Sequence, residues 1–315
     1  MPWHDAQARA AALATAMQRV GVTVDGKYRI VSVIGVGGMG VVYEAQHLFL
    51  DRAVALKVLH PRYEDAHDAA KRFLREARTL GRIGHRAIVT VLDGGFLDGT
   101  TPYLVMERLQ GENLTQRIQR RKAVRLEQGL IVMREILKGL VAAHAKGIVH
   151  CDLKPENVFL VDRAIEAGTV KILDFGVARM IARDPAAIDP EAGLRAYGTP
   201  EYMAPEQIVG GEIEARTDLY GVGAVIYEAL TGRPPFAAAT DVRASVFMRI
   251  LREVPPRAVG LREPIPAAVA ALIDRLLAKT VDLRPASAAD ALRVIDELGL
   301  VPPTSLPSIR IAKPH

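Results

Sequence analysis

Between Tyr28 and Leu109, apolar residues alternate with polar ones or run in short blocks bounded by glycine: YRIVSVIG, VVYEAQHL, AVALKVL, IVTVLDGGF and YLVMERL. Period-two runs rich in Val, Ile and Tyr predict strands. One segment breaks that rhythm. In AAKRFLREARTLGRI, Phe73, Glu76, Ala77 and Leu80 fall at i, i+3, i+4 and i+7, which predicts a helix ending near glycine. From about Asn113 the period changes. LEQGLIVMREILKGLVAAHAKG and DLYGVGAVIYEALTG predict helices, and further helices run to about Leu298, interrupted by short strands around residues 158 to 174. Residues 4 to 20 are Ala-rich, with Leu13, Met17 and Val20 at helical spacing, and predict a short leading helix. The closing VPPTSLPSIRIAKPH reads as a Pro-rich, mobile tail. A strand-rich part followed by a helix-rich part predicts an α+β chain of two lobes. The boundaries are an N-terminal helical extension (1–26), a strand lobe (27–109), a helical lobe (110–299) and the tail (300–315).

Composition narrows the class. A chain of 315 residues is long enough for one large or two modest domains with ample core. The net charge of +5 comes from Arg and Lys spread along the chain, so no nucleic-acid surface is indicated. A single cysteine cannot form an internal disulfide, which fits a reducing cytoplasm. The N-terminus is a poor signal peptide. The best apolar run, LYGVGAVIYEALTG, is short and contains Glu228, so it predicts a buried core helix and no membrane span.

The glycine cluster GVGGMGVV places Gly35, Gly37 and Gly40 between two strands. Glycines let a backbone approach phosphate closely, and free N–H groups there can cradle oxygens. The dinucleotide-binding version of this pattern leads into a helix. Here Val41, Val42 and Tyr43 follow and favour a strand, so the reading is a hairpin lid over a nucleotide. Downstream, Lys57 sits in AVALKVL, where Ala55 and Lys57 share one face. A Lys on a buried strand is costly unless an anion meets it, and Glu76, on the apolar stripe of the following helix, is the candidate partner.

These features, with those that follow them, resemble the protein kinases, in particular the bacterial eukaryotic-like (Hanks-type) serine/threonine kinases. In order, the resemblance reads GVGGMGVV (35–42), VALK (54–57), Glu76, HCDLKPEN (150–157), DFG (174–176), GTPEYMAPE (198–206), DLYGVG (218–223) and RP (284–285). It covers about residues 27 to 298 and implies a bilobal protein-kinase fold using ATP with Mg²⁺, or Mn²⁺. By resemblance, Lys57 holds the α- and β-phosphates and is oriented by Glu76. Asp152 accepts the proton of the substrate hydroxyl, and Lys154 steadies the γ-phosphoryl oxygens. Asp174 and Asn157 hold the metal ions. The nucleotide lies beneath Ile34, Gly35, Gly37, Gly38 and Gly40. Its base sits between Val42 and Ala55 above and Phe159 below, with Met106 as gatekeeper and Glu107 to Leu109 as the hinge. Leu80, Phe175 and His150 are expected to stack. Glu206 and Arg284 are expected to form a buried ion pair, and Asp218 to hold the catalytic-loop backbone. Thr199 and the GTPEYMAPE segment resemble the serine/threonine class. Glu156 points to basic residues ahead of the phosphoacceptor.

One residue departs from the pattern. Where most relatives carry Arg before the catalytic Asp, this chain has Cys151, which cannot pair with a phosphorylated activation loop. The loop itself, VARMIARDPAAIDPEAGLRAY, contains no Ser or Thr, and its one hydroxyl is Tyr197. Acceptor and receptor are absent together. The expectation is an active, cytoplasmic serine/threonine kinase of the non-RD type, with no activation-loop phosphorylation switch. Control by a regulatory partner or a homodimer through the N-terminal helix is a further expectation; the protein substrate is not named. The alternative is a pseudokinase that binds nucleotide and acts as a scaffold. Cys151 itself reads as a small buried filler.

Overall fold

A computed structural model of the chain describes residues 6–37, 40–59, 77, 81–99, 101–166, 168–175, 200–237 and 243–300. Helix α1 (Ala6–Met17) leads into a six-stranded antiparallel sheet made of β1 (Thr23–Val24), β2 (Tyr28–Gly37), β3 (Gly40–His47), β4 (Arg52–Leu59), β5 (Val91–Leu97) and β6 (Thr101–Glu107). The spatial order is β1-β2-β3-β4-β6-β5. Every strand read from the alternation is present within a few residues of its predicted ends. The predicted helix around Phe73 to Leu80 falls almost wholly outside the described residues, apart from helical Ala77.

The sheet encloses its own core of Val24, Tyr28, Ile30, Tyr43, Val54, Leu56, Tyr103 and Val105, into which α1 inserts Ala16. The helix therefore docks through a small residue. Its larger apolar residues, Leu13 and Met17, and Val20 just beyond it, remain exposed. The spacing of Leu13, Met17 and Val20 marked a stripe correctly, but the stripe faces away from the sheet.

The helical lobe is built on α3 (Leu126–His144) and α5 (Ala215–Thr231), which pack against each other. Helix α3 buries Leu130, Met133, Ile136, Leu137 and Leu140, the i, i+3, i+4 series of a core-facing stripe. Helix α5 is buried continuously from Thr217 to Tyr227, as expected for a helix apolar on all sides. It stops at Gly232, whose φ of 80° is the left-handed cap conformation. A Cβ there would lie 2.4 Å from the Lys122 carbonyl oxygen. Helix α2 (Leu114–Arg121) begins in a capping box: Asn113 Oδ1 accepts from Gln116 N at 2.9 Å, and Asn113 N donates to Gln116 Oε1 at 3.0 Å. The short helix α4 (Pro205–Ile208) precedes α5, and α6 (Arg243–Arg252), α7 (Ala267–Leu276) and α8 (Ala288–Glu297) complete the lobe. No helix among the described residues is long and apolar enough to cross a membrane.

Between the lobes lies a second sheet of β7 (Gly111–Asn113), β8 (Val158–Val161) and β9 (Val170–Ile172). Two backbone hydrogen bonds stitch it to the stretch before β5: Val89 N to Ile172 O at 3.0 Å and Ile172 N to Ala87 O at 2.8 Å. The segment carrying Asp152 to Asn157 enters β8, and Asp174 lies two residues past the end of β9. This small sheet therefore fixes both loops beneath the large one.

Candidate active site

The sequence motifs converge at the cleft below β4. Lys57 pairs across the ladder with Val42 on one side and Leu104 on the other, so its side chain leaves a strand with neighbours on both edges. It is 4% exposed. A buried ammonium needs an anion, and the described partner is Asp174, whose Oδ1 lies 2.7 Å from Lys57 Nζ. Glu76, named from sequence as that partner, lies outside the described residues, as do Gly38, Leu80, Tyr197 and Thr199. Burial works to raise the Asp174 carboxyl, but the charge and hydrogen bond of Lys57 outweigh it and hold the group below the usual carboxylate range.

Asp152 sits in a ring of donors. Lys154 Nζ is 2.7 Å from its Oδ2, and Asn157 Nδ2 donates to its carbonyl at 2.8 Å and reaches Oδ2 at 3.3 Å. Its own N–H meets His150 Nδ1 at 3.2 Å. The loop backbone is held from below by Asp218 on α5, which accepts from His150 N at 2.8 Å and Cys151 N at 2.9 Å, as expected from the sequence. His150 stacks on Phe175 with ring centroids 4.6 Å apart, so two of the three residues expected to stack meet.

Asn157 uses its amide nitrogen on Asp152, so its amide oxygen is the atom that can serve as a metal donor. With the Asp174 carboxylate this makes a set of hard oxygen donors, the kind that suits Mg²⁺. The residues thus fit the metal that the sequence implies.

Above the loop, Ala55, Val89 and Met106 form a small apolar cluster, with Val42, Val91, Leu109 and Leu173 packed against it. Phe159, the expected floor, is not packed against that cluster; it is half-buried on β8, with its ring beside the Gly111 backbone. Glu107 at the start of the hinge is anchored by Thr90 N at 2.7 Å and Lys171 Nζ at 2.8 Å. Its carboxyl is held low, with these hydrogen bonds outweighing burial. The Leu109 carbonyl is taken by Arg108.

The glycines divide into two kinds. A Cβ on Gly35 would meet nothing within 4 Å, and one on Gly37 only the Gly40 carbonyl oxygen at 3.8 Å. Both leave room for a ligand, as does the half-exposed Ile34 beside them. On Gly40 a Cβ would lie 2.2 Å from the Val58 carbonyl oxygen. The close approach of β3 to β4 therefore requires a glycine at Gly40 on its own account.

The cysteine expected to be a buried filler is half-buried instead, with its Sγ 3.6 Å from the Val149 carbonyl oxygen. Its φ of 66° is uncommon for a residue bearing a Cβ.

Two charged features lie below the loop. Glu206 and Arg284 form the expected buried, two-pronged pair, with contacts of 2.7 and 2.8 Å. Burial works to raise the Glu206 carboxyl, but its hydrogen bond to Arg284 keeps it below the ordinary range. The second feature is an acidic cluster that sequence showed only in part. Tyr202 donates its hydroxyl to Glu228. Glu156 and Glu201 each bury one carboxylate oxygen without a hydrogen-bond partner. Burial, with the neighbouring charges of Glu156 and Glu201, pushes Glu228 up to about 7 despite the Tyr202 hydrogen bond. Only Glu156 was legible beforehand; Glu201 and Glu228 join it from segments far away in sequence. A separate concavity of about 930 Å³, lined by Arg252, Val254, Asp274 and Lys279 among others, contains none of the groups gathered at Asp152.

A strand lobe roofing a loop of Asp, Lys and Asn, with a lysine–aspartate pair at the cleft, defines a two-lobed domain of the kinase class. Residues 28–294 match the protein kinase domain family, and the chain belongs to that family, among the bacterial Hanks-type serine/threonine kinases. It is 38% identical over 273 residues to the serine/threonine-protein kinase pkn3 of Myxococcus xanthus, covering 85% of this chain and 49% of that protein. It is 36% identical over 294 residues to PknL of Mycobacterium tuberculosis, covering 93% of this chain and 70% of that one. The crystal structure of the M. tuberculosis PknI kinase domain is similar with a TM-score of 0.67 at 26% identity, over 90% of this chain and 99% of that one. The chain spans about half or less of the length of the Myxococcus relatives, 49%, 37% and 32% for three of them.

Proposed function

We propose that the chain transfers the γ-phosphoryl group of ATP to Ser or Thr hydroxyls of proteins, prefers substrates with a basic residue ahead of the acceptor, and works without a phosphate on its activation segment. The observation that carries the first part is the convergence of Lys57, Asp174, Asp152, Lys154 and Asn157 in one cleft. Phosphoryl transfer needs positioning and charge neutralisation more than covalent help. Lys57 binds the α- and β-phosphates, and the open backbone at Gly35 and Gly37 lies over them. Asp152 orients the substrate hydroxyl and takes its proton, while Lys154 lies beside it to meet the γ-phosphoryl oxygens. Asp174 and Asn157 hold Mg²⁺, which supplies charge neutralisation on the phosphates when bound. The base fits beneath Val42 and Ala55, beside Met106 and the hinge at Glu107 to Leu109, with Phe159 across from them.

The acidic cluster supports the substrate preference. Two buried carboxylate oxygens without partners beside the raised Glu228 make a site completed by a cation. A Lys or Arg of the substrate supplies that charge.

The third part rests on Cys151 together with a loop that has no Ser or Thr between Gly176 and Gly198. Transfer of labelled phosphate to paired peptides, one with Arg ahead of Ser and one with Glu there, tests the first two parts. Faster transfer to the Arg peptide, with phosphoserine as product, is the expected result; equal rates remove the preference. Mass mapping after incubation with ATP tests the third. A stoichiometric phosphate on Tyr197 or Thr199 that activity requires overturns it.

A further inference from the structure

The catalytic loop is gripped from a second side. Cys151 accepts a hydrogen bond on its carbonyl oxygen from Gln207 Nε2 at 2.7 Å. Gln207 lies on α4, one residue past Glu206, which Arg284 clamps in the core. The other end of the same amide, Oε1, accepts from Ala204 N at 2.9 Å and so closes the N-terminus of α4. One side chain therefore both caps the helix and reaches the residue next to Asp152. From the far side, Asp218 holds the His150 and Cys151 N–H groups. Both peptide groups of Cys151 are thus engaged, which suits a residue kept at a φ of 66°.

The geometry points to Gln207 as a positioning residue for Asp152: a neutral tether that joins the buried Glu206–Arg284 anchor to the catalytic loop and needs no phosphate. This inference rests on the proposed role of Asp152. Where an Arg before the catalytic Asp would link the loop to a phosphorylated segment, here the link runs to a backbone carbonyl. The carbonyl exists whatever side chain residue 151 carries, so the tether is compatible with Cys151. An amide donor has no charge to lose and no phosphate to wait for, so the register of Asp152 is set by folding alone.

Two substitutions separate the jobs of the amide. Gln207→Glu keeps an acceptor for Ala204 N and places an acid at a helix N-terminus, which is favourable there, but it has no donor for Cys151. Gln207→Lys keeps a donor long enough for the Cys151 carbonyl and loses the cap. The expected result is a fall in kcat of about five- to tenfold for the Glu variant, the scale of one hydrogen bond, with the KM for ATP unchanged. The Lys variant retains most of kcat and melts at lower temperature. A second readout does not depend on catalysis. Cys151 is the chain's one thiol, and its rate of modification by a neutral thiol reagent reports on the tethered loop. That rate should rise several-fold in the Glu variant and stay near wild type in the Lys variant. Equal kcat and equal thiol reactivity in wild type and the Glu variant overturn the tether, and so do Glu and Lys variants that behave alike. A wild type that transfers no phosphate contradicts the kinase reading instead, and the thiol rates still decide the tether.

Discussion

Replacing Glu228 by Gln should change the pH dependence of stability in a direction fixed by the acidic cluster. Gln keeps an acceptor for the Tyr202 hydroxyl and removes the charge that burial and the carboxylates of Glu156 and Glu201 disfavour. Folded Glu228 binds its proton up to a pH of about 7, whereas the unfolded chain releases it near the ordinary value of 4.5. The folded state therefore holds the proton more tightly. Stability from this group is fully present below the unfolded value, falls as pH rises, and is lost above the folded value. The separation corresponds to about 3 kcal/mol at roughly 1.4 kcal/mol per pH unit. The neutral amide of Glu228→Gln escapes that loss, so the variant should match wild type near pH 4.5 and exceed it by up to about 3 kcal/mol at pH 8. Urea unfolding at pH 5, 6, 7 and 8 measures the difference. A gap between variant and wild type that widens across this window supports the cluster. Parallel curves, or a variant less stable at pH 8, refute the reasoning. The same logic reaches the substrate. A peptide's basic residue favours the ionised carboxyl, so the KM for an Arg-containing peptide should fall as pH rises through about 7, and Glu228→Gln should abolish that trend.

Three further outcomes follow from the site. Arg284→Met leaves the Glu206 carboxylate buried without its cation and should cost about 3–5 kcal/mol of stability, read by denaturant unfolding; a loss below about 1 kcal/mol would show that Glu206 finds another partner or water. Gly40→Ala should lower the melting temperature clearly, because its Cβ meets the β4 backbone, whereas Gly35→Ala should leave it unchanged and raise the KM for ATP; the reverse order contradicts the division of the glycines. Lys57→Met should abolish transfer, and since it strips Asp174 of its cation it should also return the Asp174 carboxyl toward higher pKa, measurable by carboxyl NMR titration.

Much of this was legible in the sequence because the strongest signals are local. Alternation gave the strands of the upper lobe, and helical spacing gave α3 and α5. The ordered short motifs gave Lys57, Asp152, Asn157 and Asp174, since each needs only its neighbours to be recognised. The Glu206–Arg284 pair was readable only through the resemblance to the kinase family, since nothing local to either residue points to the other. What the sequence did not show depends on contacts that pattern does not encode. Gly40 has a second reason to be glycine, the Val58 carbonyl across the ladder, which the motif does not reveal. The spacing of Leu13, Met17 and Val20 predicted the leading helix but not which face docks: Ala16 packs against the sheet, and the three larger residues stay exposed. Cys151 looked like filler because cysteine is usually buried; it is half-buried instead, on a left-handed backbone that its sequence does not announce. The acidic cluster joins the catalytic loop, the segment before α4 and the last turn of α5. The Gln207 tether ends on a backbone carbonyl, which carries no sequence signal at all.

The most direct test of the central claim uses protein treated with phosphatase and then freed of it. Labelled ATP, Mg²⁺ and a basic protein substrate are added to wild type and to Asp152→Asn, and transfer is followed from the first seconds. The account predicts that wild type transfers phosphate to Ser or Thr at once, without a lag, and that the Asn variant binds ATP but transfers none. A wild type that stays silent while binding ATP, or that becomes active only after a phosphate has accumulated on its own activation segment, would contradict it.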